Sequence, residues 1–157
     1  MRSDEKGATQ TATPTPEDVV RQLERATRGL LALNVSVLER MEKRIGLAPL
    51  RALQALARIG PSLVTELGVE LDLLPSTASR LSDRLTEAGY ITRRVSPTNR
   101  RATLLELTDA GRAVLDELIA LRVKAFGEVT QRMSEADRAA LVRGARAFTA
   151  AHGETMS

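Results

Sequence analysis

The chain has 157 residues, enough for one domain with a buried core, with 43% hydrophobic residues, 27% charged residues and a net charge of +3. It contains no cysteine, which removes disulfides, thiolate zinc sites and thiol redox chemistry, and its one histidine, His152, has no histidine or cysteine neighbour, which argues against a transition-metal site. The opening MRSDEKGATQ lacks the apolar run of a secretory signal and the uncharged stretch Gly29 to Leu38 is too short to span a bilayer, so a soluble cytoplasmic protein with no membrane contact is expected.

Residues 1–16 are polar and rich in Thr, Ala and Pro, with nothing to bury, and are predicted to form a disordered tail. Thr15-Pro16-Glu17-Asp18 then places a capping hydroxyl, a first-position proline and first-turn acids at a helix start. Over 17–46 the apolar residues Val19, Leu23, Ala26, Leu30, Leu33 and Val37 step by four and three, with Leu31, Val35 and Leu38 alongside. An apolar arc that wide packs on more than one side, either at the centre of a monomer's core or against a second subunit. Gly46 breaks this helix, and Pro49 starts a second with Leu50, Leu53, Leu56 and Ala57 inward, ending at Gly60. Ser62 is placed to cap a short third helix, from Leu63 to about Glu70, and a turn through Asp72 follows.

Pro75 suits the first position of the next helix, in which Ala78, Leu81, Leu85 and Ala88 form an apolar stripe up to the stop at Gly89. The opposite face carries Ser76, Ser79, Arg80 and Asp83, flanked by Thr77 and Arg84. Short hydroxyl side chains let such a helix enter a major groove, and Arg80 has the reach to meet guanine O6 and N7. Asp83 and Glu87 lie in the later turns, so DNA is expected against the helix start. Two strand-like runs come next, Ile91 to Val95 and Ala102 to Leu107, around the basic turn SPTNRR, which contains Asn99, Arg100 and Arg101. Together they predict a β-hairpin whose tip arginines suit a narrow minor groove. Residues 74–101 hold six arginines against Asp83 and Glu87, a net of +4, so the rest of the chain sums to −1. Positive charge concentrated in this way is the footprint of a nucleic-acid binder.

Thr108-Asp109 starts a long helix to about Arg132, with Val114, Leu118, Leu121 and Ala125 on one face and Leu115, Ile119 and Phe126 on a second. Ser134 to Asp137 reads as a capping box that opens the last helix, with Leu141, Ala145 and Phe148 inward and a frayed tail over 151–157. The expected fold class is therefore mainly α with a small β-hairpin wing.

The pieces PSTASRLSDRL, LTEAGYI, SPTNRRA and LTDAGR occur in one order and at one spacing. In both respects the chain resembles the winged helix-turn-helix core of the MarR (multiple antibiotic resistance regulator) family over roughly residues 47–130. The resemblance implies a DNA-binding lobe over 47–107, dimerisation helices over 17–46 and 108–150, and a homodimeric transcription regulator, usually a repressor, on a pseudo-palindromic site. It assigns base contacts to Ser76, Thr77, Ser79 and Arg80, phosphate contacts to Arg84, Arg93 and Arg94, and wing contacts to Asn99, Arg100 and Arg101. It further implies a small aromatic or phenolic effector and no cofactor. The chain departs from the family pattern in three places. Asp72 stands for the usual glycine, Leu74 for a serine, and Asn99 for an aspartate that orients the arginine two residues on. Two other readings stay open on the residues alone. The basic face could serve an acidic protein partner instead, and an enzyme would need paired catalytic groups or a glycine-rich phosphate loop, which the sequence lacks.

Overall fold

The structure, a computed structural model, describes residues 15–97, 99 and 102–155. The expected tail over 1–16 therefore falls almost wholly outside the described residues, as do Arg100 and Arg101 of the wing. Along the chain run α1 (Pro16–Ile45), α2 (Leu47–Ile59), β1 (Ser62–Leu63), α3 (Val64–Glu70), α4 (Pro75–Glu87), β2 (Ile91–Val95), β3 (Thr103–Leu107), α5 (Asp109–Thr130) and α6 (Glu135–Thr155). The strands form an antiparallel sheet in the order β1-β3-β2. The fold is mainly helical with a small wing, as the sequence predicts.

Two compact units divide the chain, one ending at Ala32 and one beginning at Leu33. The first is seen as the N-terminal half of α1. Thr15 starts it as expected: its hydroxyl oxygen accepts from the Asp18 N–H at 3.2 Å, and Asp18 Oδ2 accepts from the Thr15 N–H at 3.1 Å and from its hydroxyl at 2.7 Å. Those hydrogen bonds hold the Asp18 carboxyl below the usual carboxylate range. Exposed pairs Glu17–Arg21 and Glu24–Arg28, four residues apart, support the helix by about 0.2–0.5 kcal/mol each. Every described residue of this unit except the half-buried Leu30 is exposed, including Val19, Val20, Leu23 and Leu31.

The second unit holds the core. Leu50, Leu53 and Leu56 of α2 meet Leu67 of α3, Leu81 and Leu85 of α4, Ile91 of β2, and Leu105 and Leu107 of β3. Val37 and Met41 from the end of α1, and Val114 and Leu118 from α5, belong to the same cluster. The expected lobe limits, 47 and 107, are thus ends of elements and not ends of packing.

Several local expectations change. Ser62 does not cap α3: it lies in β1, paired with Leu105 of β3, and its buried hydroxyl has no partner among the described residues. A strand of two residues carries no readable alternation, so β1 escaped the sequence reading. The helix starts at Val64, and the Leu63 N–H donates to Glu66 Oε2 at 2.7 Å. Ala57 is exposed, whereas Ala52 and Ala55 fill the buried side of α2. The C-terminal helix runs to Thr155, past the expected fraying at 151, from a start that Ser134 and Asp137 cap through bonds of 2.6 and 3.1 Å. Leu141, Ala145 and Phe148 do not face this chain's core. Leu141 is half-buried, the other two are exposed, and no residue over 135–153 is buried.

Candidate nucleic-acid interface

The candidate surface is built on the helix-turn-helix formed by α3 and α4. A Cβ on Gly68 of α3 would stand 3.2 Å from the Ala78 Cβ of α4, so glycine there lets the two helices approach closely. Between them the Leu73 N–H returns to the Gly68 carbonyl at 2.8 Å, and Asp72 takes the left-handed conformation with φ 53°. Aspartate tolerates that region better than most residues, so the missing glycine does not break the turn. Leu74 occupies the N-cap of α4 without a side-chain cap bond, and the Thr77 and Ala78 N–H groups bond to its carbonyl at 2.9 and 3.0 Å.

Burial of Ala78, Leu81, Ser82 and Leu85 fixes the rotation of α4. Ser82 is tolerated inside because its hydroxyl donates to the Ala78 carbonyl at 2.8 Å. The opposite face is thereby turned outward: Ser76, Thr77, Ser79, Arg80, Asp83 and Arg84 are all exposed. Thr77, Arg80, Asp83 and Arg84 line an open hollow on this face. Among the described residues neither Arg80 nor Arg84 has an ion pair, so their charge is available to a ligand.

The wing treats its arginines differently. Its register pairs Ile91 with Leu107, Arg93 with Leu105 and Val95 with Thr103. Successive strand side chains point to opposite faces, so the neighbours Arg93 and Arg94 leave β2 on different sides. Arg93 pairs with Asp83 of α4, and Arg94 pairs with Glu106 of β3 at 3.0 Å. The two cations expected to anchor phosphate together therefore each face a carboxylate of their own chain. Sequence reading missed both partners, although Glu106 stands opposite Thr92, on the same sheet face as Arg94. At the tip the Ser96 N–H donates to the Ala102 carbonyl and the Ala102 N–H to the Asn99 carbonyl, each at 2.9 Å. This bridge places Asn99 in the turn between the strands.

The wing's base is tied to α5. Thr108 caps the helix by accepting from the Gly111 N–H at 3.1 Å, and its hydroxyl donates to the Gly89 carbonyl at 2.6 Å. Its own N–H reaches the Tyr90 carbonyl at 3.1 Å. Gly111 sits so close to this turn that a Cβ would lie 2.2 Å from the Tyr90 oxygen. The AGY and TDAGR segments thus lock together in one junction, which sets the hairpin beside α4.

Among the described residues no group of three or more His, Asp or Glu side chains is placed to hold a metal, and no helix is long and apolar enough to cross a membrane. A family model described as the MarR family matches residues 45–102. The HTH-type transcriptional repressor MdtR of Bacillus subtilis (strain 168) is 34% identical over 88 residues, which make up 55% of this chain and 56% of the relative's length. Among solved structures, RV1404 from Mycobacterium tuberculosis is 32% identical with a TM-score of 0.69, over 90% of this chain and 97% of that one. The transcriptional regulator Tm0710 from Thermotoga maritima is 25% identical with a TM-score of 0.74, over 87% and 98%.

Proposed function

The chain belongs to the MarR family of transcriptional regulators, and from that premise we propose that it is a homodimeric, sequence-specific DNA-binding regulator, acting as a repressor. One observation carries this reading: the outward face of α4 offers hydroxyls and two arginines that have no ion pair among the described residues, on a helix whose opposite side is locked into the core. In the proposed complex the first turns of α4 lie in the major groove, with Ser76, Thr77, Ser79 and Arg80 at base edges and Arg84 at a phosphate. Arg93 and Arg94 reach phosphates by exchanging intramolecular pairs for the polyanion; the exposed Arg93–Asp83 pair is worth no more than about 1 kcal/mol, and the Arg94–Glu106 pair has a half-buried carboxylate. The wing, with Asn99, Arg100 and Arg101, follows the adjacent minor groove.

Dimerisation has separate support. A helix of 21 residues with no buried side chain over 135–153 is poorly stable alone in water, yet α6 is one. Ile119 and Val123 of α5 and Val142 and Phe148 of α6 are exposed apolar residues that a second copy would cover. Two copies related by a twofold axis match a pseudo-palindromic site, with half-sites about 10 bp apart. Release by a small aromatic or phenolic effector belongs to the same proposal and rests on family membership alone.

Selection of bound sites from random duplex DNA tests the reading. The expected result is a palindromic sequence, bound with a steep linear fall of log affinity against log salt. Recovery of no preferred sequence together with a flat salt response would replace it with the protein-partner reading.

A further inference from the structure

Among the described residues the two most exposed large apolar side chains are Val69, at 84%, and Leu74, at 72%, and they bracket the turn between α3 and α4. Their surroundings differ. Val69 lines a hollow with Thr65, Glu66 and Glu70, a setting that repels a polyanion. Leu74 is the N-cap of α4, immediately before the hydroxyl face of Ser76, Thr77 and Ser79 and the cation Arg80, which has no ion pair among the described residues.

Leucine is a costly residue at this place in the free chain. It forfeits the side-chain cap that a serine would supply to the first N–H groups of α4. It also stays out of the core, while Leu71 and Leu73 on the same turn pack partly against it. Both costs fall on a residue at the leading edge of the face proposed to enter the major groove. There the one apolar feature a base pair presents is the C5-methyl group of thymine.

We infer that Leu74 is a specificity-determining residue that reads a thymine methyl in each half-site. This inference rests on the DNA-binding reading above and adds a base preference to it. A serine at this position would cap the helix and offer a base no apolar contact, whereas leucine gives up the cap for apolar recognition.

Methyl deletion tests this directly. The full chain is titrated against a duplex recovered by selection from random DNA, with each dT replaced in turn by dU. Wild type is expected to lose about three- to fivefold in affinity at one thymine per half-site, the loss for one buried methyl. Leu74→Ser, which restores a cap and so protects the fold, should bind the dT and dU duplexes equally. Val69→Ala should keep the wild-type sensitivity. Sequence-specific binding with no dU effect at any position, or the same dU effect in Leu74→Ser, overturns the inference while leaving the DNA-binding reading intact. Failure of wild type to bind any duplex in dilute buffer overturns both.

Discussion

On α4 and the wing strand β2, the arginines divide into those with a ligand's work still open to them and those already engaged. Arg80 and Arg84 have no ion pair among the described residues, whereas Arg93 is held by Asp83 and Arg94 by Glu106. The two free cations should behave differently. Arg80→Ala is expected to remove about 1–3 kcal/mol of discrimination at one base pair, visible as a larger loss on the selected duplex than on a scrambled one. Arg84→Ala should weaken both duplexes alike and lower the salt slope by about one per bound subunit. Equal losses on the two duplexes for Arg80→Ala would remove it from the base-reading set. The candidate face was legible in the sequence because helical periodicity sorts buried Ala78, Leu81 and Leu85 from exposed Ser79, Arg80 and Asp83. The partners of Arg93 and Arg94 were not legible, because Asp83 and Glu106 reach them only after the strands pair beside α4.

At the level of elements, the junction of α4, β2 and α5 is the feature most sensitive to small changes. The Thr108 hydroxyl serves the Gly89 carbonyl and the Gly111 N–H at once, and Gly111 has room for no side chain against the Tyr90 oxygen. Gly111→Ala should therefore destabilise the fold by about 1–3 kcal/mol despite alanine's better helix propensity, the usual cost of forcing atoms into a packed contact. Chemical denaturation would measure it, and a variant as stable as wild type would show that the turn yields freely. Helix starts at Thr15, Thr108 and Ser134 were readable because capping chemistry is local, confined to a residue and the three that follow. β1 and the idle hydroxyl of Ser62 were not, since pairing with Leu105 joins segments far apart in sequence.

For the molecule as a whole, the largest discrepancy between pattern and packing is α6. Its apolar residues have helical spacing, yet Phe148 remains 61% exposed in the single chain. The proposed second copy would cover this side chain, and on that reading the melting temperature should rise with protein concentration. Ile119→Asp combined with Phe148→Asp should shift sedimentation toward the single chain, lower the helix signal and weaken operator binding with it. A variant that remains dimeric by sedimentation would move the interface away from these helices.

The sequence by itself determined the order of helices, the cap of each long one, the outward face of α4 and the concentration of charge between residues 74 and 101. All of these depend on periods of a few residues or on composition, which any stretch of chain carries within itself. Tertiary structure alone decided that Val37, Met41, Val114 and Leu118 share the lobe's core, and that Arg93 and Arg94 leave β2 toward different carboxylates. It also left α6 without a packed face. The physical reason is the same in each case: which apolar or charged side chain finds a partner depends on contacts between distant segments, and periodicity says which face is turned inward without saying against what.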